Sequence, residues 1–189
     1  MSGAELVAVQ LPFSDAVWAA IGGPSGDSEV MLANGVGLRR GPVRAWAWRG
    51  RAPRCGVPAC EAVRPGAKRV ALGIDHAVLI SPDVAAFGAE APGQLRKEAV
   101  VQGRRRAFYL CGTAVLEVLE QQSAQKAKLF GICLDAEDPE ALAHEWERRG
   151  LDVSHVHPAV QDGARHIFNL RKQKYGLAVI TRRKTKSNL

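Results

Sequence analysis

The stretch Glu98–Val118, EAVVQGRRRAFYLCGTAVLEV, carries the pattern from which we predict the fold. Its apolar run Ala99–Val101 is short and β-branched, which is typical of a strand. Gly103 permits a tight turn, and the three arginines after it predict the first turn of a short helix. Gly112 then precedes a second apolar run. The pattern therefore predicts a strand, a glycine turn, a short helix and a second strand.

The predicted helix start is suited to an anion. A helix N-terminus offers unpaired N–H groups, and the guanidinium groups of Arg104, Arg105 and Arg106 match a phosphate group. The alternative is a solvated basic turn between two core elements. A single Gly-x-x-Arg pattern is too short to decide between the two.

Length and composition favour one globular domain. The chain has 189 residues, of which 47% are hydrophobic and 24% charged. We predict a single domain over residues 1–189, with residues 182–189 as a mobile basic tail. No apolar run approaches the ~18 residues that a membrane helix needs, and Met1–Val9 lacks the pattern of a secretion signal. The expected location is cytoplasmic.

The net charge of +7 is unevenly distributed along the chain. One basic tract runs from Arg39 to Arg69, opposed only by Glu61. From Arg165 onward there are eight basic residues and no acidic one. Such clusters predict a polyanionic partner, which the pattern leaves open as nucleic acid, a nucleotide or an acidic membrane surface.

Helix signals are clearest in two places. Ser14 or Asp15 can cap a short helix that ends at Ile21. Asp135 or Asp138 can cap a longer helix that ends at Gly150. The acids Glu137 and Asp138 at that helix start could hold Mg²⁺, or could serve only the helix dipole.

Strand signals surround the longer helix. Leu129–Leu134 before it and Leu151–Val156 after it predict a parallel pair with a right-handed crossover. His166–Leu170 and Gly176–Thr181 predict a closing hairpin. No internal repeat is visible in the sequence.

Several residue pairs leave a functional and a structural interpretation open. Cys55 and Cys60, and separately His155 and His157, could contribute to a metal site, but neither pair has an evident further ligand. Asp75 beside His76 could orient the imidazole for acid–base work, although neighbours on a strand point to opposite faces. Trp46 and Trp48, which alternate with arginines, could stack on single-stranded nucleic acid or lie in the core.

The segment Val100–Val118 resembles the second box of ParB-like domains, a superfamily that includes the sulfiredoxins. Gly103 and Arg106 match the fixed positions of the Gly-x-x-Arg turn that holds a nucleotide phosphate in that superfamily. The chain as a whole, by its length and basic tracts, resembles the Osa (oncogenic suppression activity) family of plasmid fertility-inhibition proteins. The fold class implied is α/β, an α+β mixed sheet, with a ParB/sulfiredoxin-like domain and an additional C-terminal strand–helix–strand and hairpin.

The resemblance implies an ATPase and DNase that blocks DNA transfer through a type IV secretion system, with ATP and Mg²⁺ as cofactors. The candidate catalytic residues are Arg106, Glu98, Glu137 and Asp138. The candidate nucleotide-binding residues are Gly103, Arg104, Arg105 and Arg106. The candidates for sequence-nonspecific DNA binding are Arg171, Lys172, Lys174, Arg182, Arg183 and Lys184.

The implied partners are DNA, single-stranded or a transfer intermediate, and a coupling protein of the secretion machinery. The metal ligands stay unknown at this stage. The alternative function is a non-enzymatic basic module that coats DNA or docks on the coupling protein.

Overall fold

Strands form most of the molecule, as the many short apolar runs between turns require. The computed structural model describes residues 4–160 and 162–183. The strands within these residues are β1 (Glu5–Leu11), β2 (Glu29–Met31), β3 (Gly37–Arg40), β4 (Ala45–Arg49), β5 (Gly73–Ser81), β6 (Gln94–Val101), β7 (Arg104–Cys111), β8 (Ala114–Glu120), β9 (Lys128–Ala136), β10 (His157–Ala159), β11 (Asp162–Asn169) and β12 (Gly176–Thr181). The helices within them are α1 (Asp15–Ile21), α2 (Val84–Glu90) and α3 (Pro139–Arg148).

The strands form two mixed sheets. The smaller sheet has the order β2-β3-β1-β4, in which β1 is parallel to β3 and antiparallel to β4. The larger sheet has the order β10-β11-β12-β9-β5-β8-β7-β6. The prediction of a mixed α+β fold is therefore confirmed at the level of class.

The larger sheet consists of two copies of one βαβββ arrangement, which we call repeat A (β5 to β8) and repeat B (β9 to β12). In each copy the first strand is parallel to the last, and the three last strands form an antiparallel meander. The copies join through the antiparallel pair of first strands, β5 and β9. An internal repeat therefore exists in the topology although none is visible in the sequence.

One face of the larger sheet packs against its helices. Trp146 of α3 meets Phe168 of β11 with ring centroids 5.5 Å apart, and Phe87 of α2 meets Tyr109 of β7 at 6.0 Å. The same apolar core continues into the smaller sheet, with Trp46 buried in it. Burial of Trp46, with Trp48 packed edge-on against its ring, supports the core interpretation of these tryptophans.

The predicted helix after Gly103 is wrong. Gln102 and Gly103 both have positive φ, 51° and 74°, and form the two-residue turn of the hairpin β6–β7. Arg104–Cys111 is strand β7, whose residues alternate between buried and less buried positions toward its end. Because the period is two, the segment pairs with β6 and β8 instead of coiling into a helix.

The predicted crossover after the long helix is also wrong. The parallel partner of β9 is β12, and Leu151–Val156 contributes only an isolated bridge at Val153. The closing hairpin is confirmed as β11–β12. Both helix caps are confirmed as well, because Ser14 and Asp138 accept hydrogen bonds from the first turns of α1 and α3.

Candidate ligand-binding site

A cavity of about 460 Å³ opens on the face of the larger sheet that turns away from α2 and α3. On β7 its wall is Phe108 and Leu110, which alternate with the helix-facing Tyr109. Residues from both edges of the strand order line this one cavity, so the sheet curls around it. Its lining is Asp75, His76, Arg96, Lys97, Phe108, Leu110, Val115, Ala159, Asp162, Arg165, Ile180 and Arg183.

A β-bulge places Asp75 and His76 together at this cavity. Ile74 pairs with Leu134 of β9, and the next paired residue is His76, opposite Cys133. Asp75 is thus an extra residue between two consecutive pairs, and the alternation of faces is interrupted. Both side chains line the cavity, whereas a regular strand would send them to opposite faces.

The imidazole of His76 lies between two carboxylates. Its Nδ1 is 2.8 Å from Oδ2 of Asp75, and its Nε2 is 3.2 Å from Oε2 of Glu117 on the neighbouring strand β8. His76 and Glu117 are both buried. Both ring nitrogens are engaged, so the ring is held in one orientation.

Each carboxylate is also bound by an arginine. Arg165 of β11 donates to Oδ1 of Asp75, and its Nε donates to the carbonyl oxygen of Thr181 at 2.7 Å. Arg106 of β7 donates to Oε1 of Glu117 at 2.8 Å. The result is a chain of alternating charges across four strands of both repeats, in which Arg165 comes from repeat B and the other members from repeat A.

These contacts set the ionisation of the cluster. Burial alone would lower the pKa of His76, but the hydrogen bonds to Asp75 and Glu117 raise the pKa to about 9. Burial alone would raise the pKa of Asp75, yet the hydrogen bonds from His76 and Arg165 hold that pKa well below its ordinary value. The pKa of Glu117 is lowered as well, against burial, first by the hydrogen bond from His76. At neutral pH the cluster therefore holds three cations and two anions.

The residues of the cluster do not fit a metal ion. A histidine that binds a metal must offer an unprotonated nitrogen, whereas both nitrogens of His76 face carboxylates and the ring holds its second proton. Within residues 4–160 and 162–183, no group of three or more His, Cys, Asp and Glu side chains is placed to hold a metal ion. Neither the pair Cys55 and Cys60 nor the pair His155 and His157 therefore belongs to such a group.

The residues predicted to bind a nucleotide lie along one hairpin. Gly103 forms the hairpin turn, and a Cβ built there would meet nothing within 4 Å. Arg104 and Arg105 follow it at the exposed end of β7. Of this set only Arg106 reaches the cluster, through its contact with Glu117.

The predicted catalytic carboxylates lie apart from one another. Glu98 of β6 pairs in register with Ala107, whose side chain belongs to the core on the helix side of the sheet. Asp138 caps α3 by accepting from the N–H of Ala141 at 2.9 Å. Glu137, beside it, is exposed and lies 3.6 Å from Arg182.

The residues predicted to bind DNA fall into two places. Arg171 and Lys172 are at the β11–β12 connection and pair with Asp152 at 3.8 and 2.9 Å. Lys174, in the same connection, accepts from Arg44 through its carbonyl oxygen.

The others follow β12. Arg182 binds Asp135, and Arg183 lines the cavity 4.0 Å from Asp75. Lys184 and the rest of the predicted tail, residues 184–189, lie outside the described residues. As a binding site, the six basic residues stay a prediction.

Sequence reasoning missed Glu117 and Arg165, and it left open whether Asp75 and His76 act together. The available signal was the Asp–His pair in an otherwise apolar run, since such charged residues inside a buried strand require partners. Glu117 in the apolar run of β8 carried the same signal.

No family model and no curated protein sequence matches the chain. Solved structures do match in fold, and methylmalonyl-CoA epimerases are among them. One is a hypothetical protein from Bacillus halodurans C-125, at 14% identity and a TM-score of 0.52, over 62% of this chain and 99% of that chain.

Two further neighbours carry an enzyme name. Methylmalonyl-CoA epimerase from Mycobacterium tuberculosis matches at 11% identity and a TM-score of 0.50, over 59% of this chain and 89% of that chain. A variant of Streptomyces coelicolor methylmalonyl-CoA epimerase, in complex with 2-nitronate-propionyl-CoA, matches at 18% identity and a TM-score of 0.50, over 60% of this chain and all of that chain. At these identities the similarity shows the fold alone.

This fold overturns the resemblance drawn from the sequence. The chain does not have a ParB/sulfiredoxin-like fold, and its assignment to the Osa family is wrong. The predicted ATPase, DNase and fertility-inhibition activities depended on that resemblance, so nothing supports them now. The same holds for the alternative of a DNA-coating module and for the coupling-protein partner. The expectation of ATP and Mg²⁺ is wrong too, because the turn at Gly103 is a strand hairpin and offers no helix N-terminus for phosphates.

The described part of the chain has no helix able to cross a membrane. Its longest helix, α3, has 10 residues.

Proposed function

We propose that this chain is an enzyme that acts on a small organic acid bound in the cavity on the open face of the larger sheet. The observation that carries the proposal is the cationic His76 at the cavity wall, held between two carboxylates that are each already paired with an arginine. With His76 protonated, the lining has five cationic side chains and two anionic ones. An anion is the complementary ligand.

The shape of the cavity favours a small molecule. A volume of about 460 Å³ is typical of sites for small ligands, which combine apolar walls with a few polar groups. Phe108, Leu110, Val115 and Ile180 supply such walls. A carboxylate attached to a short carbon skeleton would match both parts of the lining.

His76 is the group suited to assist a reaction. An oxygen of the ligand that approaches the ring competes with Glu117 for the Nε2 proton, while Arg106 keeps Glu117 paired. The imidazolium then stabilises negative charge that develops on a carbonyl oxygen of the ligand. Proton exchange at the carbon next to that carbonyl is the simplest reaction of this class. The carboxylate of Asp162, which also lines the cavity, takes up the proton of that carbon, exchanges it with water and returns a proton to the carbon. The epimerase name of two fold neighbours agrees with this reaction.

A second candidate is a protein that binds the organic acid without transforming it. The observation in its favour is that both nitrogens of His76 already donate to carboxylates. A ring that stays in these two bonds supplies positive charge and no proton.

One NMR experiment tests the proposal. The imidazole signals of His76 are followed while malonate, succinate, 2-oxobutyrate and methylmalonyl-CoA are added separately, and the last two are also incubated with the protein in D₂O. We expect the His76 signals to shift with at least one acid, and loss of the proton next to the carbonyl faster than without protein. Shifts without exchange favour the binder, and unchanged His76 signals with every acid contradict the proposal.

The matched control is a histidine outside the cavity. His76→Gln removes the cation with an amide of similar reach, and we expect it to weaken binding about tenfold or more. His144→Gln changes an exposed histidine of α3 and should leave binding unchanged. Circular dichroism of both variants checks that the fold is kept.

A further inference from the structure

A second bulge on the edge strand β6 adds two cations to the cavity wall. Gln94 pairs with Leu110 and Leu95 with Tyr109, but the next pair is Lys97 with Phe108, so Arg96 is an extra residue. In a regular strand Arg96 and Lys97 would face opposite sides of the sheet. Here both line the cavity, by the same device that brings Asp75 and His76 together on β5.

Arg96 and Lys97 are not directly paired with a carboxylate in the part of the chain that the structure describes. Among the described side chains Arg96 has only a long contact of 3.5 Å to Oε1 of Gln94. Glu98, next along the strand, pairs in register with Ala107 of the helix-side core, so it belongs to the other face. Arg165, by contrast, is already paired with Asp75.

Apolar side chains separate these two cations from His76. Lys97 is opposite Phe108 in the β6–β7 register, and Phe108 is opposite Glu117 in the β7–β8 register. One strand, β7, therefore lies between β6 and the strand that carries Glu117. Its two side chains that line the cavity, Phe108 and Leu110, are apolar, while its Arg106 is paired with Glu117. The wall thus presents a cationic edge, an apolar middle and a second cationic region.

We infer that the ligand is a dianion with a short apolar spacer, one anionic group binding beside His76 and the other binding to Arg96 and Lys97. This inference rests on the proposed function and narrows it, because a single carboxylate would satisfy only one of the two regions. The two cations are at the solvent-exposed edge strand, so the second anionic group remains near the cavity mouth.

Two dicarboxylates and their half-esters provide the test. Succinate and glutarate are compared with their monomethyl esters, which keep the length and remove one charge, by calorimetry at one fixed ionic strength. We expect at least one diacid to bind about tenfold more tightly than its half-ester, because the half-ester lacks one charge-assisted contact. The His76 signals report whether the cavity is occupied.

Two double variants test whether Arg96 and Lys97 bind the second anionic group of the ligand. In Arg96→Gln/Lys97→Gln the advantage of the diacid should vanish while the half-ester still binds. In Lys126→Gln/Lys128→Gln, which removes the same charge from exposed positions outside this cavity, the advantage should persist.

Failure of the inference and failure of the proposed function give different results. If half-esters bind as tightly as diacids and shift the His76 signals, the inference is overturned and the site stands. If the advantage survives in Arg96→Gln/Lys97→Gln, the second anionic group binds elsewhere and the inference is overturned. If no acid shifts the His76 signals, the proposed function itself fails.

Discussion

The Nδ1 atom of His76 lies 2.8 Å from Oδ2 of Asp75, the residue directly before it in strand β5. Consecutive residues of a regular strand point to opposite faces, so this contact depends on the bulge at Asp75. The same bulge turns His76 toward the face that carries Glu117. The ionisation of the whole cluster therefore follows from one extra residue in a strand.

The stability of the protein should fall as the pH rises from about 6.5 to 9. The folded pKa of His76 is about 9, above the ~6.5 of an unfolded histidine. The contribution of its protonation to the free energy of unfolding is therefore complete below pH 6.5 and is lost as the pH passes 9. The expected loss is on the order of 3 kcal/mol, measured by urea unfolding at several pH values.

His76→Gln isolates this contribution, because the groups that surround the ring, Asp75 and Glu117 with their arginines, stay in place. The variant should lack most of the change between pH 6.5 and 7.5, a range in which unfolded cysteines, with a pKa of ~8.5, stay largely protonated. An identical pH profile in wild type and variant would show that His76 is not the titrating group.

Removing the buried arginine should destabilise the fold strongly. Arg165 is 6% exposed and pairs with the nearly buried Asp75, so Arg165→Met removes the arginine partner of this carboxylate and leaves it with His76 and the more distant Arg183. We expect a loss of about 3–5 kcal/mol in the free energy of unfolding. Asp75→Asn/Arg165→Met should recover part of it, and a double-mutant cycle measures the coupling.

An exposed ion pair on α3 provides the contrast. Glu145→Gln breaks the contact with Arg149 on the helix surface and should cost only about 0.3–0.5 kcal/mol. Equal losses of unfolding free energy in Arg165→Met and Glu145→Gln would show that the buried Arg165–Asp75 pair contributes no more than an exposed ion pair.

Gly131 should tolerate no side chain. A Cβ at this position would lie 1.8 Å from the carbonyl oxygen of Gly176 on the neighbouring strand β12. Gly131→Ala should cost about 3 kcal/mol or more, or prevent folding. Gly163→Ala, at a strand position with nothing within 4 Å, should change the unfolding free energy by less than about 0.5 kcal/mol, and a similar loss in both would refute the argument.

The turn of the β6–β7 hairpin can be tested by the sign of one substitution. Gly103 has φ 74°, so Gly103→Ala should destabilise the protein by about 1 kcal/mol, because alanine is strained at positive φ. In a helix start the same change would stabilise it. Gln102→Asn, at φ 51°, should stabilise the hairpin by a few tenths of a kcal/mol, and thermal unfolding measures both.

Two of the helices and several strands were predictable because their signals are local. Ser14 and Asp138 cap helices through contacts to residues three positions along the chain. Turns, caps and apolar period depend on such short spacings, so a single sequence carries them. The hairpin β11–β12 was predictable for the same reason.

The arginine run after Gly103 shows the limit of local signals. A glycine followed by three basic residues is compatible with a helix start and with a hairpin turn. Pairing with β6 and β8 decided for the hairpin, and that pairing is a property of neighbouring strands. The resemblance built on a helix at this point was therefore wrong.

By itself the sequence determined a basic α+β chain of short strands, with capped helices at two predicted places and a charged Asp75–His76 pair in an apolar run. Only the tertiary structure decided that β9 pairs with β12, that the two repeats share one curled sheet, and that Arg165 meets Asp75 across 90 residues of chain. The physical reason is that strand register and bulges are set by partners distant in sequence. A shift of one residue changes the face on which a charge lies.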